Sequence, residues 1–232
     1  MSGAPCRLLA LDTATENCSA ALYLDGVLRM VSHVSPRDHS ARLLGMVDSL
    51  LRGAELALAD VEAIAFGRGP GGFTGVRIAA SVAQGLALGA ARGLVAVSDL
   101  QALAWRAWAE HGWPRVLVAM DARMGELYVA ACEFDRDGRL IDAGEERLLA
   151  PEVLEVPPGT WWGAGPGWAA HPGALAAAAA RLADCDASLF PDAGAVATLA
   201  VARLAGGEVP IDPADIAPVY LRDRVATPRR SA

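Results

Sequence analysis

The stretch Gly67-Arg68-Gly69-Pro70-Gly71-Gly72-Phe73-Thr74-Gly75-Val76-Arg77-Ile78 is built from the residue types of a phosphate-binding loop. Gly69, Gly71, Gly72 and Gly75 can adopt positive φ, or let a phosphate or a second backbone come close. Thr74 is placed to cap the helix that follows, and a helix N-terminus attracts anions. No lysine follows Gly75, so the loop is not a Walker A motif. Asp12 and Asp121 each end an apolar run that reads as a buried strand, Leu8 to Leu11 and Val116 to Met120. Carboxylates so placed can organise a metal and a nucleotide between two lobes. They can equally accept hydrogen bonds from their own turns. His33, His39, His111 and His171 form neither H-x-x-x-H nor H-E-x-x-H, the spacing that aims two rings at one ion. There is no G-x-S-x-G nucleophile elbow and no credible nucleophile–base pair. The expectation is no catalytic residue, no metal site and no cofactor. Asp12, Gly71, Gly72 and Asp121 remain as nucleotide-site candidates.

These residues need elements to hold them. Leu8 to Leu11 is a strand, Ser19 to Leu24 returns, and Asp25-Gly26 turns the chain into Val27 to Val31. Ser35-Pro36-Arg37-Asp38 opens a helix to about Ala54. Val61 to Phe66 is a strand feeding the glycine loop. Gly75 to Ala91 is a helix, Leu94 to Val97 a strand, and Leu100 to Glu110 a helix. The pattern then restarts. Val116 to Met120 and Leu127 to Phe134 form a second strand pair, with Asp137-Gly138 matching Asp25-Gly26. The repetition points to a duplicated α/β architecture with a break near residues 111–115. His171 to Ala183 reads as an alanine-rich helix and Ala193 to Leu204 as another, stopped at Gly206-Gly207.

With 232 residues, 53% hydrophobic, the chain can bury a sizeable core. A net charge of −7 argues against a large nucleic-acid footprint, which needs a basic face. The cysteines Cys6, Cys18, Cys132 and Cys185 make no C-x-x-C pair and are expected as free thiols in a reducing cytoplasm. The N-terminus carries no secretory pattern, and the run Leu175 to Ala180 is far short of a membrane span.

Two helices carry more apolar or small surface than one core contact needs. In the first, Leu43, Val47, Leu50 and Ala54 line one face, and Leu44, Leu51 and Leu58 a second. In the other, Ser81, Gly85 and Gly89 recur at i,i+4 and make a narrow stripe without large side chains. Each glycine costs about 1 kcal/mol of helix stability relative to alanine, so the stripe needs a packing reason. Internal packing and a partner helix both supply one.

Five segments carry a family resemblance: Leu9-Ala10-Leu11-Asp12-Thr13-Ala14-Thr15; Pro36-Arg37-Asp38-His39; Gly67 to Gly89; Asp121-Ala122-Arg123-Met124-Gly125-Glu126-Leu127-Tyr128; and Pro218-Val219-Tyr220-Leu221-Arg222. In this order they resemble the bacterial TsaB (YeaZ) family of the tRNA threonylcarbamoyladenosine machinery. The resemblance implies an α/β, duplicated, actin-like fold of the ASKHA (ribonuclease H-like) kind with two lobes. Residues 1–110 would be the first lobe and 111–210 the second, smaller one. A tail of about 211–226 would pack back on the first. The resemblance also implies a non-catalytic partner of the paralogue TsaD, which transfers the threonylcarbamoyl group. TsaE is the third component, and a homodimer is expected when the partner is absent. The contact would use helices 38–54 and 75–91, with Leu43, Leu44, Val47, Leu51, Arg77, Ser81, Gly85 and Gly89 as interface residues. Contact with tRNA would come only through the complex; Arg222, Arg224, Arg229 and Arg230 read as a solvated basic tail. One departure stands out. TsaD carries an H-x-x-x-H metal motif where this chain has Asp99 and Leu103. A small-molecule kinase or ATPase of the same fold, using Asp12 and Asp121, is the alternative.

Overall fold

A computed structural model describes residues 7–35, 38–216 and 221. The expected features at Cys6, Pro36, Arg37, Pro218 to Tyr220 and Arg222 to Arg230 lie outside the described residues.

The first sheet is assembled from β1 (Arg7–Asp12), β2 (Asn17–Leu24), β3 (Val27–Val34), β4 (Ala63–Gly67) and β5 (Gly93–Val97) in the order β3-β2-β1-β4-β5. β1 runs antiparallel to β2 and parallel to β4, and β4 parallel to β5. β1 is apolar on both faces because both are covered. Leu9 and Leu11 pack against α1 (His39–Gly53) and α2 (Phe73–Ala90). Leu8 and Ala10 pack on the opposite side, against α6 (Ala193–Ala205). Each such leucine contributes about 2 kcal/mol of burial free energy. Asp25 and Gly26 both take positive φ, 48° and 94°, as a two-residue hairpin turn requires.

The second sheet repeats the plan. β6 (Arg115–Arg123) pairs antiparallel with β7 (Glu126–Phe134) and parallel with β10 (Trp162–Ala164), which pairs parallel with β11 (Cys185–Asp186). The short strands β8 (Leu140–Asp142) and β9 (Arg147–Leu149) pair with β7. Thus β6 stands where β1 does, and β7, β8, β10 and β11 where β2, β3, β4 and β5 do. Two copies of this mixed-sheet topology make the duplicated, actin-like, two-lobed α/β fold.

The third helix of each copy covers the other copy's sheet. α3 (Asp99–His111) packs Leu100, Leu103, Ala104 and Ala107 on Val116, Val118 and Met120 of β6. α6 packs on β1, β2 and β4. The other face of β6 is closed by Trp161, Trp168, Leu175 and Leu154. Residues 211–216 return to the first sheet, where Ile211 exchanges two backbone hydrogen bonds with Leu94.

Three local expectations are corrected. The run His171 to Ala183 contains only the four-residue helix α5 (Ala176–Ala179), after the equally short α4 (Gly167–Ala170). The chain must turn there to bring Ala183 N–H onto Trp161 and β11 alongside β10, so tertiary pairing overrides alanine propensity. Thr74 is not the cap of α2; Gly72 is, and no side chain caps it. β6 continues through Arg123, with a register shift between Asp121 and Arg123, so Asp121 does not end its strand.

Candidate functional site

Asp12 ends β1 and Asp99 opens α3, and both are fully buried. Ala14 N–H donates to Asp12 Oδ1 at 2.8 Å, and Gly69 N–H donates to Asp99 Oδ2. Asp12 Oδ2 and Asp99 Oδ1 have no other donor among the described residues. The pair is satisfied when Asp99 keeps its proton and donates it to the Asp12 carboxylate. Burial pushes the Asp12 carboxyl up to about 6, against the Ala14 amide and the Asp99 hydrogen bond that pull it down. Asp99 lies well above the usual carboxylate range, through burial first and then the Asp12 charge. Gly67 leaves room for this pair: a Cβ there would collide with Asp99 Oδ1. Asp99 was singled out in the sequence only for standing in the place of a histidine; its contact with Asp12 joins residues far apart in the chain.

The glycine loop is pressed onto the β1–β2 turn. Gly72 N–H donates to Ala14 C=O at 2.7 Å, and Thr13 Oγ1 donates to Gly75 C=O at 2.7 Å. A Cβ on Gly75 would overlap the Thr13 carbonyl oxygen, and one on Gly71 would lie 2.7 Å from that of Ala14. These glycines therefore permit backbone-to-backbone contact, and the first amide at the α2 N-terminus is already spent on Ala14.

Asp121 belongs to a different cluster. Its Oδ1 accepts from Arg123 N–H at 2.9 Å, and Arg123 Nη1 lies 3.2 Å from Oδ2. His171 Nε2 stands 3.7 Å from Oδ1. Arg123 also reaches Glu16, in the first hairpin turn, at 3.3 Å. Asp12 and Asp121 share none of these partners. Asp121 mainly orders its own turn, one of the two readings its position allowed. Leu103 is fully buried in the α3–β6 core, against the backbone at Gly165. Burial holds the thiols up, Cys18 and Cys185 at about 11 and Cys132 at about 12, so none is a thiolate nucleophile near neutral pH.

The expected interface residues divide. Leu43, Val47 and Leu51 belong to the core beneath α1, and their assignment to a docking surface is corrected: they face the sheet. Leu44 is 52% exposed on the outer side of α1. On α2, Ser81, Gly85 and Gly89 are exposed, and a Cβ on either glycine would meet nothing within 4 Å. Leu88 beside them is 62% exposed. Arg77 folds over the Phe73 ring, 3.3 Å from its centroid, and donates to the Phe73 carbonyl. A groove of about 350 Å³ between the helices is lined by Ser40, Phe73, Thr74, Arg77, Ser81 and Val82. α2 is long and apolar enough to cross a bilayer, yet its inner face is packed on the first sheet. What is unusual is the apolar outer face.

The duplicated sheets and the buried acid pair between glycine loop and α3 define an actin-like, two-lobed protein. The family model described as TsaD, tRNA N6-adenosine threonylcarbamoyltransferase, matches residues 30–226. The Escherichia coli (strain K12) protein named "tRNA threonylcarbamoyladenosine biosynthesis protein TsaB" is 43% identical over 95% of this chain and 96% of its own length. A Pseudomonas aeruginosa structure, "YeaZ", is 45% identical with a TM-score of 0.84, covering 93% of this chain and all of that one. A second Pseudomonas aeruginosa structure, described as similar to peptidase YEAZ, is 46% identical with a TM-score of 0.87, covering 94% of this chain and all of its own. The chain belongs to the TsaB (YeaZ) family, within the wider family that the TsaD model describes.

Proposed function

We propose that this chain is a non-catalytic partner subunit in the biosynthesis of threonylcarbamoyladenosine in tRNA. It docks on TsaD, the paralogue that performs the transfer, and TsaE joins the pair. The modified adenosine lies beside the anticodon of tRNAs that read codons beginning with A. The chain acts in the cytoplasm and meets tRNA only through the complex. Its lobes are residues 1–110, with the returning tail, and 111–210, with α3 and α6 crossing between them.

The observation that carries the reading is the stripe of Ser81, Gly85 and Gly89. It is exposed, and space above both glycines is open. Internal packing therefore gives no reason for glycine there, and close approach of a partner helix does. Leu44, Leu88 and the groove beside Arg77 extend that surface. The same stripe is expected to meet its own copy when TsaD is absent.

A non-catalytic role is supported by what fills the site. Leu103 occupies the core where the resemblance places a metal histidine, Asp99 is satisfied by Asp12, and the glycine loop is held down on Thr13 and Ala14.

Gly85→Leu tests the docking. A Cβ at Gly85 meets nothing within 4 Å and the position is exposed, so the protein should fold while co-purification with TsaD is lost. Unchanged co-purification overturns the proposal. Reconstituting the tRNA modification with and without this chain reads the role directly. The ATPase alternative requires that the isolated chain bind Mg-ATP, which titration calorimetry measures.

A further inference from the structure

β3 is an outer strand of the first sheet, and all eight of its residues are exposed. Val27, Leu28, Met30, Val31 and Val34 put apolar side chains on both of its faces. It contains no proline, lysine or bulge, the usual devices that keep a sheet edge from pairing.

Its hydrogen-bonding parity follows from the hairpin. Leu24 and Val27 flank the two-residue turn and form a hydrogen-bonded pair, so Val27, Arg29, Val31 and His33 direct their amides and carbonyls to β2. Ser35 keeps the parity by donating to Glu16 C=O at 2.8 Å. Leu28, Met30, Ser32 and Val34 therefore turn their amide and carbonyl groups outward, away from the sheet.

We propose that β3 pairs antiparallel with β3 of a second copy of this chain, joining two sheets across a two-fold axis at Val31. Pairing with an equivalent strand must set outward residues opposite outward residues. Centred on Val31, Leu28 meets Val34 and Met30 meets Ser32 of the other copy, and every outward group finds a partner. Val31 meets Val31 across a non-hydrogen-bonded position. Arg29 stands opposite His33, while its guanidinium is drawn aside to the Gly53 carbonyl at 2.8 Å. The Arg29 charge is thus drawn off the seam and no carboxylate lies on the strand, so the pairing rests on the matched backbone groups and apolar contact. This edge is distinct from the Ser81–Gly85–Gly89 stripe, since α1 overlies β2 and β3 while α2 overlies β4.

The test uses the full chain carrying Gly85→Leu, which removes self-association through the helices. Sedimentation velocity should still show a dimer. Adding Ser32→Pro removes an outward amide while sparing the β2 ladder, and should weaken the dimer by about tenfold or more. Should the proline variant fail to fold, Val31→Lys gives the same reading without touching the backbone. Val31→Cys should form an interchain disulfide under mild oxidation, because directly opposed residues at such a position lie about 4.5 Å apart at Cα. A Gly85→Leu protein that is monomeric throughout overturns the proposal. So does a dimer indifferent to Ser32→Pro and Val31→Lys. Loss of TsaD binding by those variants, with no dimer in the parent, would assign the edge to the partner instead and equally overturn it.

Discussion

Asp12 and Asp99 form a buried, hydrogen-bonded carboxyl pair in which each backbone amide donor, Ala14 and Gly69, serves one oxygen, and the remaining two oxygens find no other donor among the described residues. The pair ties the end of β1 to the start of α3, and through Gly69 to the glycine loop.

That arrangement makes a pH prediction. Both carboxyls have folded-state values above the ordinary one, so the folded protein holds protons that the unfolded chain releases. The pair costs least below about pH 4, and stability is lost as pH rises through about 6, the Asp12 value. Asp99→Asn supplies a permanent donor to Asp12. It should stabilise the protein by about 2 kcal/mol at pH 7.5 and far less at pH 4.5. Urea unfolding across this range reads the difference; a gap that does not widen with pH would refute the shared proton.

Gly75 and Gly85 lie on one helix and predict opposite outcomes. Gly75→Ala drives a methyl into the Thr13 carbonyl and should cost about 3 kcal/mol. Gly85→Ala meets open space and should gain up to about 1 kcal/mol. Thermal melts of the two variants decide it, and equal effects would contradict the assigned contacts.

Asp192 caps α6 through Ala195 N–H at 2.8 Å and takes an ion pair from Arg106 on α3. The carboxylate is nearly fully buried. Arg106→Ala leaves that charge unpaired and should cost about 3 kcal/mol. Asp192→Asn in the same background keeps the cap and should recover much of the loss. A double-mutant cycle by denaturant unfolding measures the coupling, and additive effects would exclude it.

The third helices supply a prediction about cooperativity. Since α3 covers the second sheet and α6 the first, neither sheet is closed by its own copy's helices alone. Unfolding should therefore be a single transition by both tryptophan fluorescence and far-UV circular dichroism. Two separated transitions would mean the lobes unfold independently.

Much of the architecture was readable along the chain because it depends on short-range pattern. The 3.6 period of α1 placed Leu43, Val47 and Leu50 on one face, and that face is buried. Asp25-Gly26 named its hairpin turn. Leu51 shows where this stops. Its period put it on a second face with Leu44, yet it is buried and Leu44 is not, because a helix lying on a sheet covers a wider arc than one stripe. The alanine run after His171 failed for a related reason, since the strand pairing that cut it short joins Gly163 to Cys185.

The glycine block declared from the sequence alone that something must come close to the backbone between Gly67 and Gly75, because only glycine tolerates such an approach. The tertiary structure decided what comes close: the Asp12–Asp99 pair at Gly67, and the Thr13–Ala14 backbone at Gly71 and Gly75. It likewise decided that Gly85 and Gly89 face outward, although both glycine sets look alike in the sequence. A residue's type limits which neighbours it can accept, whereas the neighbour itself arrives from a distant part of the chain and is known only once the sheets have formed.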